Sequence, residues 1–310
     1  MTTQSSNFLT DFLFGGVSAA VTKTLIAPIE RVQVLLQTQD VHPLIQQGKV
    51  IKYTGIENCL ARVYKEEGFF SFWRGNFSNV LRYFPTQAFN FAFKDYFRTF
   101  FCPYDSKKDP WKFFYGNLIS GGLAGGLSVL IVYPLDFIRT RLGADILDAS
   151  KAPNTKKRQF KGSIDCFVKI YRSEGIKGVY SGCMLSALMY FFYRAIYFGG
   201  YDTIKQIYGL EQRKSSIFLR LCVALLVTNS AGFLVFPLDT VRRRLMMQAG
   251  RTGEKTYNGS FDCIGKIWTL EGKKAFYKGG LSNVLRGSGS AFVLVIYDEI
   301  RKKWNKGKRS

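Results

Sequence analysis

The sequence is poor in acidic residues and histidine. Its 310 residues hold 22 Asp and Glu against 44 Lys and Arg, and one histidine, His42. Six cysteines occur, but none forms a CxxC pair, so neither a zinc site nor a disulfide scaffold is predicted. A GxxxxGK[ST] phosphate loop is missing, and no cluster of Cys, His or acids has the spacing of nucleophiles or ligands. We therefore expect no metal, no cofactor and no enzyme activity.

The excess of basic residues gives a net charge of +22. Such a charge favours anionic lipids, nucleic acids or polyanionic substrates as partners. A nucleic-acid-binding surface would cluster its basic residues on one soluble face, whereas here long uncharged segments separate them. We therefore expect no nucleic acid partner. Residues 1–16 resemble neither a secretory signal nor an Arg-rich transit peptide, so any targeting information is expected to be internal.

A Pro-x-acid motif occurs three times, at Pro28, Pro134 and Pro237, with copies about 105 residues apart. Each copy is followed by an aromatic-x-Gly motif and then by an acid-Gly pair that precedes another Gly. The glycines of these motifs are Gly55, Gly68 and Gly75; Gly162, Gly175 and Gly182; and Gly259, Gly272 and Gly279. Three features in one order, three times, predict tandem repeats at 1–108, 109–212 and 213–310.

Each repeat opens and closes with a long apolar segment, which predicts six helices. The odd helices are expected at about 8–37, 111–142 and 215–247, and the even helices at about 76–101, 182–208 and 279–304. Residues 118–135 and 221–238 carry no charge and approach the roughly 20 residues that cross a bilayer. A short amphipathic stretch, for example 56–65, follows each aromatic-x-Gly and would lie on the membrane surface. The predicted fold is an all-α membrane protein, a six-helix pseudo-threefold bundle around a central cavity.

The three Pro-x-[Asp/Glu] signatures, two of which end in Arg139 and Arg242, together with the Gly motifs and the repeat length, resemble the mitochondrial carrier family over essentially the whole chain. Residues 242–247, Arg-Arg-Arg-Leu-Met-Met, are similar to the Arg-Arg-Arg-Met-Met-Met signature of ADP/ATP carriers in that family. The signature residues here are Arg242, Arg243, Arg244, Leu245, Met246 and Met247. The resemblance implies exchange of ADP for ATP across the mitochondrial inner membrane, with both termini toward the intermembrane space.

Cations occur deep inside the even helices. The seventh residue after the opening Gly is Arg82, Met189 and Arg286 in the three repeats. An intramembrane cation costs a few kcal/mol unless it faces water or a partner, and no acid lies near Arg82 or Arg286 on its own helix. Together with Lys23, they are predicted to face one cavity and to suit a chain of phosphates. Pairing with buried acids is the alternative.

Tyr193, Tyr197 and Tyr201 recur every four residues and share one helix face. They could stack a purine, and ordinary packing is an equally good explanation for any one of them. The residues assigned to the substrate site are Lys23, Arg82, Asn90, Met189, Tyr190, Tyr193, Arg194, Tyr197 and Arg286.

Two sets of charged residues recur at opposite ends of the predicted bundle. Acids and bases at one height on three helices can close a ring, and two rings at opposite ends permit alternating access. The odd-helix ring, which the resemblance places on the matrix side, comprises Glu30, Gln33, Gln37, Asp136, Arg139, Asp239 and Arg242. The even-helix ring, on the cytoplasmic side, comprises Asp95, Arg98, Asp202, Lys205, Asp298 and Arg301.

The resemblance also implies bound cardiolipin, since backbone N–H groups at helix N-termini bind phosphate. The expected positions are Gly55, Gly75, Gly162, Gly182, Gly259 and Gly279. ADP, ATP, cardiolipin and the bilayer are thus the expected partners, with other inner-membrane complexes as further candidates.

Three positions depart from the resemblance. Gln33 stands where the family has Lys, so Asp239 is expected to lack its cationic partner. Met189-Tyr190 replaces the Gly-Ile of the adenine pocket and fills space that the purine would use. Val235 removes a hydroxyl from the pocket. They leave open an alternative, a carrier-fold structural subunit of a larger inner-membrane respiratory complex with weak or no transport.

Overall fold

The computed structural model describes residues 2–104, 109–147, 158–207, 217–250 and 256–289, with side chains at all of these positions except 2–15, 110, 194–195, 198–207, 217–221 and 224. Within these residues every regular element is helical, which confirms the all-α prediction. The helices are α1 Thr2–Thr38, α2 Pro43–Gln46, α3 Ile56–Glu67, α4 Asn76–Phe101, α5 Pro110–Ala144, α6 Ser163–Val179, α7 Cys183–Ile207, α8 Ile217–Gln248, α9 Ser260–Lys266 and α10, residues 280–289.

The three proline residues of the repeated motif lie inside long helices. Pro28, Pro134 and Pro237 fall within α1, α5 and α8, the odd helices of the three repeats. The even helices are α4, α7 and α10, of which α10 is described as far as residue 289. The short helices α3, α6 and α9 connect odd to even helices. Among the residues whose side chains are described, one helical segment has the length and mean hydropathy needed to cross a membrane: Trp111–Ala144 in α5.

The glycines that open the even helices set how the repeats pack. Gly75, Gly182 and Gly279 all have a positive φ of 80–83°, a conformation that glycine adopts without strain. A Cβ added at Gly75 would lie 2.9 Å from the carbonyl oxygen of Arg139. Equivalent Cβ atoms at the other two glycines would lie 3.1 Å and 3.3 Å from the carbonyls of Arg242 and Gln33. Each even helix therefore packs against the odd helix of the next repeat at one height.

Three buried clusters fix the connecting helices to the odd helices. Each contains one repeat-equivalent cysteine with no exposed surface: Cys59, Cys166 or Cys263. The cysteines therefore serve as small packing residues. The acid-Gly motif adds polar links, because Arg31 Nη2 of α1 lies 2.5 Å from Glu67 Oε2 at the end of α3. Arg244 binds Glu271 in the same way in the third repeat, with Nη2 and Oε2 2.8 Å apart.

Candidate functional site: a cationic cavity above a ring of ion pairs

A cavity lies between the odd and even helices, with about 900 Å³ of empty space that includes open solvent. Its wall includes three cations that the sequence assigned to a substrate, Lys23, Arg82 and Arg286, one from α1, one from α4 and one from α10. The remaining lining residues are Glu30, Gln33, Asp136, Arg139, Met189, Tyr190, Tyr193, Gly232, Val235, Phe236, Asp239, Arg242, Arg243 and Asn283. The cavity thus has the cationic character expected for a phosphate-bearing ligand.

Arg82 has a partner that the sequence did not reveal. Its Nη1 lies 3.5 Å from Asp136 Oδ1 on α5 and 3.4 Å from the hydroxyl of Tyr190 on α7. The expectation that no acidic residue pairs with Arg82 was wrong, because the acid lies on a different helix. Arg286 Nη2 lies 2.8 Å from Asn283 Oδ1, and Lys23 Nζ lies 3.9 Å from Glu30.

The neutral wall of the cavity carries Met189, Tyr190 and Tyr193. The ring of Tyr193 stacks on that of Tyr197, with centroids 6.2 Å apart and planes 13° from parallel. Tyr197 itself packs toward the buried residues of α8 and does not border the cavity. Asn90 lies further along α4 and likewise does not border it. The side chains of Arg194 and Tyr201 lie outside the described residues.

Ion pairs close the floor of the cavity. Arg139 of α5 binds the Glu30 carboxylate of α1, and Arg242 Nη1 of α8 lies 2.9 Å from Asp136 Oδ2 of α5. Both links cross between odd helices, as a ring requires. The side chains of Glu30, Asp136 and Arg242 are all less than 10% exposed, so this end of the bundle is sealed.

The third link of the odd-helix ring differs from the other two. Asp239 was expected to lack the cationic partner that position 33 supplies in the family, and its two arginine contacts come from other positions: Arg242 Nη2 lies 3.0 Å away and Arg243 Nε 2.8 Å away. Both arginines belong to α8, like Asp239 itself. Across to α1 the carboxylate accepts one hydrogen bond, from Gln37 Nε2 at 3.3 Å. Gln33 is buried, and its Oε1 has no hydrogen-bond partner among the residues that the structure describes.

The sequence missed a polar position that recurs in each repeat four residues after the opening glycine. Asn79 Nδ2 donates to Glu30 at 2.9 Å, and the Ser186 hydroxyl accepts from Arg242 Nη1 at 3.3 Å. The third copy, Asn283, holds Arg286. The signal was available, since three polar residues stand at one repeat position. Asn79 and Ser186 thus place even-helix groups on the ring.

At the other end of α4, Asp95 and Arg98 are exposed and make no ion pair with any described residue. The remaining four predicted members of the even-helix ring lie outside the described side chains: Asp202, Lys205, Asp298 and Arg301.

The signature segment divides between the cavity and the interior. Arg242 and Arg243 border the cavity, while Arg244 turns away from it toward Glu271 and Asp40. Leu245, Met246 and Met247 are buried, so the Leu that replaces a Met is a packing residue. The six glycines expected at lipid sites each directly precede a helix, α3, α4, α6, α7, α9 or α10.

Three repeated pairs of helices around a cationic cavity, with an ion-pair ring across one end, define a solute carrier of the three-repeat class. The family model described as "Mitochondrial carrier protein" matches residues 4–105, 110–212 and 213–308. The chain therefore belongs to the mitochondrial carrier family, which confirms the resemblance drawn from the sequence.

Relatives of known name cover almost the whole chain. An "ADP,ATP carrier protein" of Parachlorella kessleri is 54% identical over 295 residues, 95% of this chain and 85% of that protein. "ADP/ATP translocase 2" of Rattus norvegicus is 52% identical over 304 residues, 97% of this chain and 99% of that protein. The "Mitochondrial substrate carrier family protein ancA" of Dictyostelium discoideum is 52% identical over 298 residues, 96% of this chain and 94% of that protein.

Proposed function

We propose that this protein exchanges ADP for ATP across the mitochondrial inner membrane by alternating access. The observation that carries the proposal is the cavity, in which Lys23, Arg82 and Arg286 face one space above a closed ring. Relatives more than 50% identical over nearly the whole chain are named ADP/ATP carriers or translocases. No cofactor is proposed, since exchange requires only binding and a change of shape.

The phosphates of the nucleotide would lie among the three cations, which come from three different helices. Arginine suits this role because its planar guanidinium can hold two phosphate oxygens at once. The purine would lie against the wall formed by α7, where Tyr190 and Tyr193 offer ring faces. Met189 is unbranched and adaptable, so it can move aside for the base.

Arg82 couples the substrate to the ring. The same carboxylate, Asp136, faces Arg82 at 3.5 Å and Arg242 at 2.9 Å. A phosphate that draws Arg82 away removes one of the cations around Asp136 and changes the balance of a ring link. Substrate binding thereby acts differently on the closed and the open ring, which is the condition for a ligand to shift a conformational equilibrium.

We assign the odd-helix ring as the matrix gate and the even-helix ring as the cytoplasmic gate, with both termini toward the intermembrane space. Opening the matrix gate would break Glu30–Arg139 and Asp136–Arg242, and charged groups such as Asp95 and Arg98 would then pair with other even helices to close the other end. Cardiolipin phosphates would bind the backbone N–H groups that follow the six glycines.

The test is uptake of labelled ADP into cardiolipin-containing liposomes loaded with ATP. Arg286→Ala should abolish exchange and leave the melting temperature close to that of the parent. Arg82→Ala should abolish exchange and also lower the melting temperature, because Asp136 loses a partner. Lys49→Ala removes an exposed cation outside the cavity and serves as the matched control. Near-normal exchange in Arg286→Ala would contradict the proposed site, and a folded parent without exchange would favour the structural-subunit alternative.

A further inference from the structure

The seam between α1 and α8 is the one described seam of the odd-helix ring without an ion pair across it. Glu30–Arg139 joins α1 to α5 and Asp136–Arg242 joins α5 to α8. Both arginines that contact Asp239 lie on its own helix, α8. Among the described residues of α1, Asp239 contacts the side-chain amide of Gln37. An amide donor is a weaker partner for a carboxylate than a cation. At the ring itself, the first and third repeats are therefore the least firmly joined.

An ion cluster lies beside this seam, at the end of α1. The Asp40 carboxylate of the first repeat lies 2.5 Å from Lys278 Nζ and 3.2 Å from Arg244 Nη2, both in the third repeat. Its side chain is only 5% exposed. Lys52, of its own repeat, adds a contact at 3.0 Å from a side chain that is 63% exposed. Asp40 thus links the first and third repeats through two cations, and its carboxylate is largely shielded from water.

A similar ion pair occurs at the seam between the first and second repeats. Arg74 directly precedes Gly75, as Lys278 precedes Gly279, and its Nη2 lies 2.5 Å from Asp145 Oδ2 just beyond the end of α5. There it stands beside an ionic ring link, Glu30–Arg139. At the seam between the third and first repeats, Asp40 and its cations stand beside the Gln37 amide link.

We infer that Asp40, with Lys278 and Arg244, is the lock that holds α1 against α8 in place of the ion pair missing at Gln33, and so is a positioning residue for the closed odd-helix ring. Asp40 lies outside the cavity and touches no substrate. Its effect on transport rests on the proposed exchange, whereas its hold on the seam does not.

A mutant cycle between positions 33 and 40 tests the inference. Gln33 and Asp239 border the same cavity, so Gln33→Lys brings a cation to the seam. Asp40→Asn should lower the melting temperature by several degrees, and Gln33→Lys should restore at least half of that loss. Asp145→Asn damages the other seam, and Gln33→Lys should not restore it. Lys52→Gln, which removes the exposed contact within one repeat, should melt like the parent.

The readout is thermal melting of purified full-length protein in detergent, which needs no transport. A gain from Gln33→Lys that is equal in the parent, Asp40→Asn and Asp145→Asn backgrounds would overturn the inference, because independent sites add. Parent-like melting of Asp40→Asn would overturn it as well. If Asp40→Asn does not fold, Lys278→Gln replaces it in the same cycle, with the same two overturning results.

Liposomes supply a second measurement with a separate meaning. Asp40→Asn should raise leakage of a small anion in the absence of ADP, and Gln33→Lys should suppress that leakage. If the parent exchanges no ADP while the melting cycle shows the selective rescue, the proposed function fails and the lock stands. If the parent exchanges ADP and the rescue is not selective, the lock fails and the function stands.

Discussion

Removing the charge of Glu30 tests the closed ring most directly. Glu30 accepts hydrogen bonds from Arg139 and from Asn79, and its side chain is 9% exposed. Glu30→Gln leaves the Arg139 guanidinium with the more distant Asp136 carboxylate of its own helix, 3.9 Å away. Breaking a buried ion pair by removing one partner costs about 3–5 kcal/mol, and the lower figure applies because Arg139 borders the open cavity. For a chain of this length about 3 kcal/mol corresponds to a melting temperature lower by about 6 °C.

The chain provides its own reporter for this measurement. Cys59, Cys166 and Cys263 have no exposed surface, and burial raises the pKa of each thiol to about 12. Because the thiolate is the reactive form, these residues are inert in the folded protein and react with a thiol-specific fluorophore as it unfolds. Glu57→Gln, which neutralises an exposed carboxylate on α3, is the matched control. If Glu30→Gln melted at the parent's temperature, the ring would not stabilise this state.

Three further results are expected. Met189→Gly with Tyr190→Ile should tighten ADP binding in calorimetric titration by clearing space on the neutral wall; equal, tight binding in parent and variant would place the purine elsewhere. Gly75→Ala should cost about 2 kcal/mol in thermal melts, through its positive φ and the Arg139 carbonyl 2.9 Å from the new Cβ, whereas Gly162→Ala, in extended backbone with open space, should be neutral. Cardiolipin should raise the melting temperature in detergent, and identical melting with and without it would contradict the lipid sites.

The sequence was sufficient to predict the odd-helix ring because the members of the ring recur in the repeats. Glu30, Asp136 and Asp239 stand two residues after their prolines, so pseudo-threefold symmetry puts them at one height on three helices. Arg139 and Arg242 follow one turn later, and the same symmetry sets each within reach of the acid on the preceding odd helix. The structure joins both arginines in that way. The repeat length and the motif order thus predicted contacts between residues about 105 positions apart.

The contacts that escaped prediction are those that only one or two repeats make. Arg82 meets Asp136 because α4 packs closely on α5 through Gly75, and the middle repeat has Met189 where the other two have Arg. Nothing in the spacing of Arg82 and Asp136 along the chain marks them as partners. Only the close approach of the two backbones brings them together.

Gln33 stands where the repeat pattern predicts a cation and a third ion pair. Its replacement of a cation is visible in the sequence and predicts a weaker seam between α1 and α8. What offsets the loss is Asp40, seven residues on and outside the repeated signature, which meets Lys278 some 238 positions away. Symmetry predicts a third ion pair at the level of Asp239, where the chain has an amide. The ionic contacts at the seam between the first and third repeats lie beside the symmetric level, at Asp40, and only the packed structure shows them.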